Sequence, residues 1–158
     1  MPTSAAHRRK AVRVTAREVF IAAREAAIRL RELDVRSDEM RMRIGLQGHG
    51  YGESTHGSML DPMRKVDDLL DWEADESRAI RQSSSQAIGE AEQLLRGMEA
   101  LGASEAAETL RLRFVKARSA SQVAAMLGQP EALVVRMCDE ALDWCESVGI
   151  AKLKEAGR

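Results

Sequence analysis

Aromatic residues are nearly missing from this chain: two Phe, two Trp and one Tyr, 3% of 158 residues. A core must therefore be assembled from Leu, Val, Ile, Met and Ala. Proline is as scarce, at Pro2, Pro62 and Pro130 only, so long stretches carry no helix breaker. No apolar run is long enough to cross a bilayer. The N-terminus carries His7, Arg8, Arg9 and Lys10 where a signal peptide would have an apolar core, so a cytoplasmic protein is expected. Cysteine is limited to Cys138 and Cys145. On one predicted helix they lie about 10 Å apart in rise, too far for a mutual disulfide, and read as two buried thiols in a reducing compartment. Net charge is −1, which favours no class of partner. No phosphate-binding glycine loop, H-E-x-x-H pair or nucleophile elbow occurs. Neither an enzyme nor a cofactor is expected.

Hydrophobic residues make up 44% and charged residues 31%, a globular balance. Rich in Ala and Leu, the chain reads as all-α. Residues 1–14 form a basic arm. Residues 15–101 form two long helices, packed as an antiparallel hairpin, around a Gly-rich connector at 45–61. In the first helix Ala16, Val19, Ala23, Ala26, Leu30, Leu33, Ser37, Met40 and Ile44 recur in steps of three and four. Thr15 and Glu18 give a T-x-x-E capping box at its start. Asp61 and Pro62 suit the start of the second helix. Its stripe runs from Met63 through Leu70, Ile80 and Ala91 to Leu101, with polar Glu73, Ser77 and Ser84 in it. Both stripes are broader than one contact needs, so either a second copy, making a homodimer through the long helices, or the C-terminal unit should cover the remainder. Asp67, Asp68 and Asp71 read as a solvated helix face. His49 and His56, six residues apart in a flexible loop, are too few and too loosely held for a metal site.

Residues 102–149 form a third unit. Gly102 ends the long helix and Ser104 starts another, with Leu110, Phe114 and Val115 inward and Arg118 at its close. Ser119 and Gln122 form an S-x-x-Q capping box for a short helix, Ala120 to Leu127. Gly128 supplies a left-handed stop, and Pro130 opens a longer helix whose apolar face is Val134, Met137, Cys138, Ala141, Trp144, Cys145 and Val148. Helix, short helix, tight glycine turn and longer helix is the helix-turn-helix pattern. Residues 150–158 read as a basic tail.

The run L-R-L-R-F-V-K-A-R-S-A-S-Q-V-A-A-M-L-G (110–128), then V-V-R-M-C-D-E-A-L-D-W (134–144), resembles the promoter-reading C-terminal domain of sigma factors. It resembles more closely the phage-encoded proteins that share this unit, the late-gene transcription regulators and their uncharacterised relatives. Gly57-Ser-Met-Leu-Asp-Pro62 resembles their connector. The resemblance implies a phage or prophage regulator of transcription. Base contacts would then come from Gln129, Glu131, Ala132, Val135 and Arg136 at the start of the last helix. Phosphate contacts would come from Arg111, Arg113, Lys116, Arg118, Ser119, Ser121 and Gln122. Yet residues 129–146 hold five acids against one arginine. That balance motivates an alternative, an interaction module docking on RNA polymerase or another phage protein. A small-terminase-like packaging protein is a further alternative, although in such proteins the DNA-binding unit usually lies at the N-terminus.

Overall fold

The computed structural model describes residues 13–47 and 62–158. The basic arm up to residue 12, the connector with His49 and His56, and the Asp61 cap lie outside the described residues. Among the described residues the chain is helical, with no strand. Two long helices, α1 (Ala16–Gln47) and α2 (Pro62–Ala100), are followed by α3 (Ser104–Leu110) and a single π turn (Arg111–Val115). Then come α4 (Ala120–Leu127), α5 (Glu131–Val148) and α6 (Ile150–Ala156).

Helix α1 starts where the capping box places it. The Glu18 carboxylate accepts from the Thr15 N–H at 2.7 Å, and the Thr15 hydroxyl accepts from the Glu18 N–H at 3.2 Å. It packs antiparallel to α2: Val19 and Ala22 line a cleft with Ala87 and Glu90, and Asp34 meets Arg81 at 2.9 Å.

One continuous core joins the N-terminal half of α1 and the C-terminal half of α2 to every later element. Phe20, Leu94, Leu95, Met98, Leu110, Leu142 and Leu153 are its largest fully buried side chains. The scarce aromatics serve here, with the Phe20 and Phe114 rings 5.8 Å apart and tilted by 52°. The sequence boundary at residue 102 is thus not a boundary in packing. Away from this core the hairpin interior thins. Leu33 is accompanied there by buried Ser37, Ser77 and Ser84, and the Ser37 and Ser84 hydroxyls have no hydrogen-bond partner among the described residues. A buried hydroxyl without a partner weakens its surroundings by about 1–3 kcal/mol.

Residues 150–156, expected as part of a basic tail, are helical. Gly149 turns the chain with φ 90°, and Leu153 is fully buried. Helix α6 lies directly on α2. A Cβ added at Gly97 would fall 2.1 Å from the Leu153 carbonyl oxygen, and one at Gly157 would fall 2.4 Å from that of Gln93. Two glycines therefore set the distance between these backbones.

Gly97→Ala should accordingly destabilise the fold by about 1–3 kcal/mol through overpacking. Gly89, also on α2, has open space around its Cα. Gly89→Ala should stabilise by about 0.5–1 kcal/mol through helix propensity. Opposite shifts of the melting temperature, followed by circular dichroism, are the expected outcome; a neutral Gly97→Ala would refute the close α2–α6 contact.

Candidate nucleic-acid interface

The residues expected to meet DNA sit on α3, the π turn, α4 and α5. After Leu110 the helical register widens: the Lys116 N–H bonds the Arg111 carbonyl at 2.9 Å, five residues back, and the Arg118 N–H bonds the Leu112 carbonyl at 3.1 Å. The expected continuous helix to Arg118 is thus α3 plus a π turn. The chain leaves it through Ala117, whose φ of 47° is the left-handed region rarely used by a residue with a Cβ. Ser119 then caps α4. Its hydroxyl accepts from the Gln122 N–H at 3.1 Å, and the Gln122 side-chain carbonyl accepts from the Ser119 N–H at 3.0 Å. Gly128, φ 64°, ends α4 in a left-handed turn. Pro130 is the N-cap of α5 rather than its first helical residue, in extended conformation. Val123, Ala124 and Val134 are buried and lock α4 and α5 together.

Gln129, Glu131, Ala132, Val135 and Arg136 are all exposed, along the turn and the first half of α5. Met126 stands exposed on α4. Arg136 carries only a solvent-screened pair with Glu140, 3.3 Å away.

The phosphate candidates divide. Lys116, Arg118 and Ser121 are exposed. Ser119 and Gln122 are exposed as well, but their side chains are engaged in the capping box. Arg113 is half-buried and donates to the Arg118 carbonyl at 2.8 Å. Arg111 faces inward, its side chain 21% exposed, and holds three carboxylates: Glu99 at 2.8 Å, Glu108 at 2.9 Å and Glu92 at 3.4 Å. Burial works against its charge, but the hydrogen bonds it donates to Glu99 and Glu108 outweigh that, and its pKa is raised above the ordinary arginine value. Arg111 is a clamp between α2 and α3, not a free cation.

The acids of α5 face the same kind of internal partner. Arg17 of α1 bonds Asp143 at 3.2 Å and Asp139 at 3.3 Å, and Glu146 accepts the Arg17 backbone N–H at 3.0 Å. The hydrogen bond Arg17 donates to Asp139 is the main reason its pKa is raised. Arg24 donates to the carbonyls of Arg113 at 3.0 Å and Arg118 at 3.3 Å, and Arg31 donates to that of Lys116. Arg17, Arg24 and Arg31 are spaced by seven residues, so one row of α1 seats the whole C-terminal unit. That row was missed in the sequence, although its spacing was there to be read. With Asp139 and Asp143 paired to Arg17 and Glu140 beside Arg136, Glu131 and Glu146 are the acids of α5 without an ion pair among the described residues, Glu146 accepting the Arg17 backbone N–H.

Both cysteines are buried and unpaired. Burial pushes the Cys145 thiol up to about 11, with Glu146 adding to it, and raises Cys138 against the opposing charge of Arg113. Among the described residues no group of three or more His, Cys, Asp or Glu is placed to hold a metal. No helix there is long and apolar enough to cross a membrane. No protein-family model, curated protein or solved structure matches this chain.

Two outcomes are expected. Arg111→Leu leaves Glu92, Glu99 and Glu108 facing one another and should cost about 1–3 kcal/mol, the half-exposed setting reducing the penalty of a broken buried pair. Arg118→Leu should leave the melting temperature nearly unchanged. Both thiols should resist a thiol reagent at pH 8 until denaturant is added. The raised pKa of Cys145 means its contribution to stability is full below pH 9 and is lost as the pH climbs through about 11. Rapid native labelling would contradict the burial.

Proposed function

We propose that this protein is a DNA-binding regulator of transcription, of the phage-encoded sigma-like kind, and that α3, α4 and α5 act as a helix-turn-helix following the long hairpin. The observation that carries the reading is the division of α5. The turn before it and its first half offer Gln129, Glu131, Ala132, Val135 and Arg136 to solvent, while Asp139, Asp143 and Glu146 bond Arg17 of α1. Three of the five acids of α5 thus have partners on α1, at the solvent-exposed edge of the α1–α5 contact. Gln129 suits an adenine edge and Arg136 a guanine edge, and Val135 with Met126 suits a thymine methyl. Lys116 and Arg118, just before the α4 cap, supply phosphate contacts. Arg111 has no part in that grip.

Fluorescence anisotropy with a duplex over a salt series tests this. Binding should weaken linearly in log salt, and Lys116→Ala or Arg118→Ala should each reduce the slope by about one. On a selected site, Gln129→Ala or Arg136→Ala should cost about 1–3 kcal/mol while leaving that slope nearly intact. Absence of binding at low salt by a folded protein would overturn the reading.

A further inference from the structure

Helix α1 carries a second pattern, on the side away from the core. Ile21, Ile28, Val35 and Met42 are spaced by seven residues, and all are exposed, at 45%, 37%, 58% and 69%. Seven residues make nearly two helical turns, so the four side chains form one line. Residues two or five positions away lie on the opposite side, and those are the buried ones: Val19, Ala23, Ala26, Leu33 and Ser37. The line is therefore not the edge of the hairpin interface. It is a separate apolar seam about 32 Å long by helical rise.

The seam is bordered by two rows of opposite charge. Glu18, Glu25, Glu32 and Glu39, three residues before each apolar member, are all exposed along one flank. Arg17, Arg24 and Arg31, four residues before the first three members, run along the other, with Asp38 in the fourth place. Arg17 is already paired with Asp139 and Asp143 of its own chain, whereas Arg24 and Arg31 are bonded to carbonyl oxygens, which leave their positive charge in place.

We propose that this seam is the contact between two copies of the chain, packed parallel and in register as a short left-handed coiled coil. Three considerations select that occupant. One apolar residue every seven positions keeps a single line of the helix apolar along its length, as a contact with one supercoiled helix needs, with charged residues at the second core position of each heptad. A two-fold axis parallel to the helices sets the Glu row of each protomer against the Arg row of its partner. An axis perpendicular to them would set each row against itself, Glu on Glu and Arg on Arg. Finally, Val35 and Met42 lie over the thin part of the hairpin, where buried Ser37, Ser77 and Ser84 replace apolar core. A second copy adds apolar burial where the chain's own core runs out. In this arrangement both C-terminal units lie at the same end of the dimer, on opposite sides of the axis.

The experiment uses the full chain without DNA, so its outcome is independent of the DNA reading. Light scattering after size exclusion at micromolar concentration should give twice the 17.4 kDa chain mass. Ile28→Lys and Val35→Lys should each reduce this to the chain mass with helical circular dichroism unchanged. Ile21→Cys and Met42→Cys, oxidised separately, should each form a disulfide with the same position of a second copy. The native cysteines are buried and do not compete. A monomeric wild type, or a dimer untouched by both lysines, overturns the proposal. So does cross-linking of Ile21→Cys only to Met42→Cys in a mixture, which is the antiparallel result.

Discussion

Three arginines seven residues apart on α1 hold the π turn, the segment to Arg118 and α5 against that helix. Arg24 and Arg31 supply donors to carbonyls that the π turn leaves open. Arg17 answers two carboxylates of α5. Carbonyl oxygens at the end of a helix need partners, and here they come from a helix about ninety positions earlier in the chain. Each exposed ion pair contributes little alone. The row matters because it orients the unit whose burial supplies most of the energy, Phe20 against Phe114 and Leu110 against the hairpin.

This orientation also decides which groups are left to meet a partner. Arg111, Arg113, Lys116 and Arg118 look alike in the sequence, yet only Lys116 and Arg118 reach solvent freely. The same sorting acts on the acids of α5, leaving its first half comparatively neutral. The surface left to meet a partner is defined by which charged groups the fold engages internally.

What could be read from the sequence was local. The Thr15–Glu18 and Ser119–Gln122 boxes, Gly128 and the helix bounds of α4 depend on neighbours within four residues, and these features are present. The all-helical class followed from composition and period. The π turn could not be foreseen, because the run from Arg111 to Val115 suits an ordinary helix equally well. Helix α6 is seven residues long and carries two lysines. Its burial rests on Gly97 and Gly157, residues that look like breakers until their neighbours are known. Among the interface candidates, exposure of Gln129, Glu131, Ala132, Val135 and Arg136 followed from their place at a helix start. The inward turn of Arg111 depended on Glu92 and Glu99, which belong to another helix.

The docking of α1 on α5 has a consequence for how the molecule forms. The Arg17–Glu146 contact joins positions 129 apart, and Arg17–Asp143 joins positions 126 apart. Helices can form early and separately, but α1 gains its C-terminal partners only when nearly the whole described chain has been drawn into one loop. The entropy of that closure falls before the contacts repay it. Folding of this protein should therefore be slower than its helical content suggests, governed by the search of one terminus for the other rather than by the winding of its helices.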